Sequence, residues 1–415
     1  MNEFEEILEK NLHELFEPAE FMTKLLQKEF RQKRNVDLTK DQIVQLKMLL
    51  KKIINQRDIP SVLQIEINDD KSIQITESSN TSDQIINIGI LANKEIDKIN
   101  KGIPNLIEEC SEMGSKLLLQ NFKKHNKNNL LKHRKEQALF NKGLYSNWGV
   151  AINLLESFVL LIQEIGCEYN EYIQQIENDD ITPKFEILRR SHARSCQVAL
   201  EIVTLLKNGF ADGAHARWRT LHEIAVETNI IQKNDDDLAV SYLDHLQIQD
   251  YKSAKIFQQH CLKLHYEPFS LEEMEKITES YNDLIINYGK NYSSEYGWAT
   301  KIIKGKVPKF CDLESIAEFE HMRPFYKLSC MNVHGGPKGL IYRLGLTDEQ
   351  QRNILLAGPS TNGLGDPIQN VAYSLLQITC ALLNYEINLD YLIELKVLKK
   401  IEEEIFQLVD QIENV

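Results

Sequence analysis

From residue 137 to the C-terminus, apolar residues recur at the three-and-four spacing of α-helices, and no segment there alternates as a strand requires. That pattern excludes a sheet-based architecture for the larger part of the chain. Alternation occurs once, earlier. In "LQIEINDDKSIQI" the residues Leu63, Ile65, Ile67, Ile73 and Ile75 alternate with polar neighbours around an Asn-Asp-Asp turn, which is the pattern of a β-hairpin over 62–76. The expected fold class is mainly α: an N-terminal helical region over 1–136 carrying one hairpin, then an all-α helical bundle over 137–415. A chain of 415 residues exceeds the size at which a single core stops growing, and two domains follow from that.

Helices are expected at 3–33, with Phe4, Leu8, Leu12, Leu15, Phe16 and Met22 on one face and a kink at Pro18. "LTKDQIVQLKMLLKKII" gives a second helix, started near Thr39 or Asp41, and the polar "TESSNTSDQ" a loop. Further helices are expected at 93–122 (broken near Gly102 and Pro104), 145–176, 183–207 (ended by Gly209), 211–232, 236–263 (one helix or two), 270–289, 312–333, 366–392 and 393–413. "GPSTNGLGDP" is the longest turn-rich loop. No repeat at solenoid period is visible.

Composition narrows the function classes. A net charge of −13 argues against a general nucleic-acid coat and leaves room only for local basic patches. One such patch is "KKHNKNNLLKHRKE", with six lysines and arginines and no acid before Glu136; it reads as the solvated end of a long helix, with phosphate contact as the lesser alternative. Seven scattered cysteines without a CxxC indicate neither a zinc site nor a disulfide framework, and point to a reducing cytoplasm. The acidic start "MNEFEEILEK" lacks the features of a signal peptide. The most apolar stretch, "AINLLESFVLLIQEIG", is interrupted by glutamates and reads as a buried helix and not a membrane span. P-loop, GxGxxG, HExxH and GxSxG motifs are all absent, so no cofactor or metal is expected.

Two segments hold the candidate chemistry. In "AHARWRTLHEIAVETNII", Ala214, Trp218, Leu221, Ala225 and Thr228 form an apolar seam, and Arg219 and Glu223 lie nearly opposite, one turn apart. Their row continues into Val226 and Ile230, so the pair should face protein or a cavity and need polar company. It is either a structural ion pair or the lining of a cleft. In "YKLSCMNVHGG", Tyr326, Cys330 and His334 stack at helical spacing above Arg323, and Gly335, Gly336 and Pro337 end the helix. His334 should occupy the last turn, where it can act as a general acid/base or merely cap the final carbonyls. Lys327, Ser329 and Asn332 lie within two turns of it.

"LLKNGFADGAHARWRTLHE", the run from Tyr326 through Gly335, and "GPSTNGLGDP" before a final apolar helix together resemble a bacterial domain family of unknown function. That family is similar to divergent HEPN-type helical bundles, the nucleotide-binding domains shared by higher eukaryotes and prokaryotes. The resemblance covers about residues 145–392 and leaves the first 136 unmatched. It implies a dimeric, metal-independent ribonuclease of the toxin or phage-defence kind, built through the C-terminal bundle. The HEPN signature sets an arginine four to six residues before the histidine. Here Lys327 stands at that distance from His334, and the nearest arginine, Arg323, is farther away.

The resulting expectation is an RNA- or nucleotide-processing effector. His334, Arg219, Glu223, Tyr326 and Lys327 are its catalytic candidates, and Arg323, Ser329 and Asn332 its substrate-binding candidates. The alternative is a non-catalytic helical sensor or scaffold holding a small ligand or a partner protein, for which residues 1–136 are the candidate surface.

Overall fold

A computed structural model describes residues 18–54, 63–67, 72–77, 88–176, 181–351 and 353–414. The fold is mainly α, with twelve α-helices and one two-stranded sheet among the described residues. The chain divides into two compact units, Met1–Asn129 and Leu130–Val415.

In the first unit, α1 (Pro18–Arg34) packs on α2 (Lys40–Ile54). Thr39 and Gln42 start α2 reciprocally: the Thr39 N–H donates to Gln42 Oε1 at 2.9 Å, and the Gln42 N–H donates to Thr39 Oγ1 at 3.4 Å. Strands β1 (Leu63–Ile67) and β2 (Ile73–Glu77) pair antiparallel, with Ile65 opposite Ile75 and Ile67 opposite Ile73. Leu26, Phe30, Leu46, Leu50, Ile65 and Ile73 make this unit's core, so the hairpin's apolar alternation is used as the sequence suggests. Phe4, Leu8, Leu12, Leu15 and Phe16, the hairpin turn at 68–70 and most of the "TESSNTSDQ" loop lie outside the described residues.

Helix α3 spans Ile88–Ile176 without interruption. The expected break at Gly102 and Pro104 is absent from it. From Leu144 onward α3 is buried on one face, and Ala151, Ile152, Leu155, Phe158, Val159 and Ile162 join the core of the second unit. This part of α3 is long and apolar enough by composition to cross a membrane, and 44% of its most apolar window is buried against the protein.

The second unit continues with α4 (Pro183–Lys207), α5 (Ala211–Lys233), α6 (Asp236–His260) and α7 (Leu271–Tyr288). It closes with α8 (Phe310–Ile316), α9 (Arg323–Val333), α10 (Pro337–Ile341), α11 (Gly365–Leu383) and α12 (Leu389–Glu413). Thr182 caps α4 by accepting from the Phe185 N–H, and Gly209 ends it at φ 75°. There the Gly209 N–H donates to the Leu206 carbonyl and the Phe210 N–H to the Leu205 carbonyl, the paired bonds of a Schellman ending. The next helix, α5, lies at the centre, packed on α4, α9 and α11.

The single helix expected over 312–333 is divided. Glu318 sits at φ 63°, a left-handed conformation that stops α8, and Pro324, which has no N–H to give, falls in the first turn of α9 where none is needed. Likewise α11 ends at Leu383, short of the expected 392, because Asn388 caps a new helix by accepting from the Tyr391 N–H.

Candidate functional site

Helix α5 sets one face into the core and turns the opposite one toward α9. Ala214, Trp218, Leu221, Ala225 and Thr228 are buried as the seam predicts, and Val226 and Ile230 are buried too. The Trp218 indole N–H donates to the Asn370 carbonyl and to Ser374 Oγ of α11, which fixes the rotation of α5 about its axis. That rotation leaves the Arg219 and Glu223 side chains half-buried, at 23% and 29% exposure.

Across from them stands α9. Arg219 Nε donates to Glu223 Oε1 at 2.9 Å and to the Tyr326 hydroxyl at 3.2 Å. The same hydroxyl donates to Glu223 Oε1 at 2.7 Å, which closes a three-membered ring of hydrogen bonds. The guanidinium also lies 5.3 Å from the Tyr326 ring centroid, within cation–π reach. Arg219 Nη1 stands 3.5 Å from His334 Nε2. Because a guanidinium only donates, this contact casts Nε2 as the acceptor. The structure thus brings Arg219, Glu223, Tyr326 and His334 to one place, although α5 and α9 are far apart in sequence.

Electrostatics bear on two members of the cluster, Tyr326 and Arg219. Burial and the neighbouring Glu223 charge push the Tyr326 phenol far above its ordinary range, so Tyr326 is a neutral donor. Burial works against the charge on Arg219, but Glu223 and the Tyr326 hydroxyl outweigh it and raise its pKa.

His334 is not in the last helical turn. It is the residue just past α9, with extended backbone (φ −97°, ψ 136°), and its N–H still donates to the Cys330 carbonyl. The chain turns back at once: the Gly336 N–H donates to the His334 carbonyl, and α10 folds against the end of α9. A Cβ on Gly339 would come within 2.1 Å of the Met331 carbonyl oxygen, so this close return requires glycine. The His334 side chain is thereby left exposed at the edge of the cluster.

The other candidates fall elsewhere. Ser329 is fully buried and donates its hydroxyl to the Tyr326 carbonyl within its own helix, so it offers nothing at the surface. The Arg323 guanidinium is engaged by the buried Glu314 carboxylate and is not free for a phosphate. Lys327 is exposed and makes no ion pair among the described residues, and Asn332 is half-buried with no side-chain hydrogen bond there.

Sequence reasoning missed the support behind the cluster. Glu314, wholly buried on α8, accepts from Arg323 and lies 3.1 Å from His222 Nε2. His222 is equally buried between Trp218 and Tyr326, with ring centroids 5.1 Å and 5.6 Å away. Its place on the apolar seam, one turn after Trp218, was the available signal. Glu227 was missed as well. It continues the row Arg219, Glu223 by one more turn and accepts from the Tyr242 hydroxyl at 2.8 Å. Burial, opposed by that hydrogen bond and assisted by the Glu223 charge, pushes its carboxyl up to about 7.

In a chain of net charge −13, the stretch from His321 to Thr347 contains no aspartate or glutamate, while it carries Arg323, Lys327, Lys338 and Arg343. Of these cations, Arg323 pairs with Glu314 and Arg343 with Asp212, while Lys327 and Lys338 make no ion pair among the described residues.

Among known proteins, no curated protein and no solved structure matches the chain. A family model does match: residues 185–352, which include Arg219, Glu223, Tyr326 and His334, are similar to a family of unknown function (DUF5677).

Proposed function

We propose that the chain is an RNA-cleaving enzyme that uses a ribose 2′-hydroxyl as its nucleophile, with His334 as general base and Arg219 as the phosphate clamp. The observation that carries this reading is the 3.5 Å approach of Arg219 Nη1 to His334 Nε2 at an exposed edge. A base lone pair and a cation side by side suit a phosphodiester whose neighbouring hydroxyl must lose a proton as charge builds on phosphorus.

In this reading His334 Nε2 takes the 2′-hydroxyl proton, the 2′-oxygen bonds to phosphorus, and the bond to the 5′-oxygen breaks, leaving a 2′,3′-cyclic phosphate. The departing 5′-oxygen recovers a proton from the imidazolium. Arg219, braced by Glu223 and Tyr326, holds the non-bridging oxygens without having to reorganise. Lys327, exposed on the acid-free stretch, serves as a point charge for the backbone. The resemblance to HEPN-type nucleases supports the same chemistry, and a toxin or phage-defence setting rests on that resemblance alone.

A second reading has one observation in its favour. Glu223 already matches the charge of Arg219, as a structural pair in a ligand- or partner-binding scaffold would. Purified protein incubated with total RNA in the presence of a chelator separates the two. The nuclease reading expects fragments ending in cyclic phosphate and their loss in His334→Ala; equal cleavage by that variant, or none by the wild type, defeats it.

A further inference from the structure

Within the second unit, the end of α3 and the start of α4 enclose a cavity of about 550 Å³ over the buried Leu382 of α11. The two helices lie close together. A Cβ on Gly166 would fall 2.2 Å from His192 Cε1, so only glycine lets the His192 ring sit there. Beside that contact the lining is small, since Gly166 has no side chain and Ala193 a single methyl, and space is left open. The volume lies within the range of small-molecule sites. The cavity shares no residue with the Arg219–His334 cluster, and nothing below rests on the chemistry proposed there.

The charge of the lining is positive. Arg189 and Arg190 both belong to it, and both hold the single carboxylate of Glu186 through their Nε atoms. Two guanidiniums on one carboxylate leave a net cation. Their Nη groups make no hydrogen bond among the described residues, so the planar forks that suit phosphates and carboxylates remain open. No aspartate or glutamate lines the cavity among the described residues. Burial lowers His192 to about 4, so its imidazole is neutral at neutral pH.

Asn170 stands in the same lining. Its Oδ1 is buried and has no hydrogen-bond partner among the described residues, an acceptor that an O–H or N–H group would satisfy. Leu200 supplies an apolar wall. Nucleophilic chemistry does not fit this cavity. Cys196 Sγ lies 3.9 Å from His192 Nδ1, but burial raises the thiol to about 12 and keeps it protonated.

We propose that this cavity binds a small organic anion whose phosphate or carboxylate head is held by Arg189 and Arg190. A hydroxyl or N–H beside that head donates to Asn170, and the body lies along Ala193 and Leu200. The ligand is therefore a charged metabolite with a neighbouring donor, not an apolar compound.

Cys167 lines the cavity and its thiol is exposed, so its alkylation reads occupancy; the exposed Cys311 on α8 is the internal reference. Iodoacetate and its neutral counterpart iodoacetamide are compared on the full chain at low salt, with each thiol followed by peptide mass spectrometry. The iodoacetate-to-iodoacetamide rate ratio should be about tenfold higher at Cys167 than at Cys311, as a cationic cleft that gathers anions requires. In R189Q/R190Q, at unchanged helical content, the two ratios should become equal. Adenosine 5′-monophosphate and malate carry the two kinds of head beside hydroxyls. At least one of them should slow iodoacetamide at Cys167 and not at Cys311, and the one that does names the head; adenosine and malamide, which lack the charge, should do neither. Ala193 is exposed, so Ala193→Phe fills the cavity at little cost to the fold and should abolish the protection. Equal reagent ratios at the two thiols of the wild type, protection by neither anion, or protection that survives in R189Q/R190Q or Ala193→Phe would each overturn the proposal. Arg189, Arg190 and Glu186 would then be an ion pair on the helix surface and nothing more.

Discussion

The Tyr326 hydroxyl reaches Glu223 Oε1 at 2.7 Å across 103 residues of sequence, and the same hydroxyl receives the Arg219 Nε–H. One phenol thus links α5 to α9 and holds the cation in place. Tyr326→Phe removes the link while leaving the ring packed against Phe310, 4.6 Å away. The expected loss is about 1–2 kcal/mol, near the lower part of the range for hydrogen bonds to charged groups. Urea unfolding of Tyr326→Phe, Glu223→Gln and the double variant should show a coupling above about 0.5 kcal/mol. Strictly additive losses would mean the contact contributes nothing.

Two carboxylates near the site should differ in what their removal costs. Glu223 is half-buried, so solvent can relieve an unpaired Arg219, and Glu223→Ala should cost about 1–3 kcal/mol instead of the roughly 3–5 kcal/mol of a fully buried pair. Glu314 is wholly buried between His222 and Arg323, and Glu314→Ala should reach that larger range or prevent folding. If thermal or urea unfolding ranks the two variants the other way, the His222–Glu314–Arg323 network is not the support behind the cluster.

The meeting of Arg219 and Glu223 with α9 was legible because their row ran into Val226 and Ile230, which only a protein-facing side would carry. The boundaries around His334 were less so. Glu318 in a left-handed conformation and the return of α10 onto Met331 depend on tertiary contacts that helical spacing does not encode. Ser329 was misassigned for a related reason: its spacing from Tyr326 fits a shared face, but its hydroxyl bonds back to the Tyr326 carbonyl and the side chain enters the core. Glu314 was invisible from sequence, since a lone acid on a short helix gives no sign that it will be buried opposite a histidine.

Glu227 makes stability depend on pH. Its carboxyl rises from an ordinary 4.5 to about 7 in the fold, with burial as the leading cause. Between those values the folded chain binds more protons than the unfolded one, so this group's contribution is full below about 4.5 and is lost as pH rises through about 7. Glu227→Gln keeps an acceptor for the Tyr242 hydroxyl and removes the titration. Urea midpoints measured from pH 5 to about 8 should fall less steeply for the variant than for the wild type. Parallel curves would assign the pH dependence to other groups.

Arg219→Lys separates the clamp from the charge. Arginine's fork lets Nε serve Glu223 and Tyr326 while Nη1 stays beside His334; a lysine ammonium is one point and cannot do both. The variant should keep most of its stability, since a cation still faces Glu223. Under the proposed chemistry it should lose RNA cleavage by about 10²-fold or more, the size of effect seen when one transition-state donor is removed. His334→Ala, truncating an exposed side chain at a helix end, should unfold within about 0.5 kcal/mol of the wild type and be equally inactive. Matched loss of kcat in both variants with intact folding is what a base and clamp acting on one phosphate require. Full activity in Arg219→Lys would return the Arg219–Glu223 pair to a purely structural role.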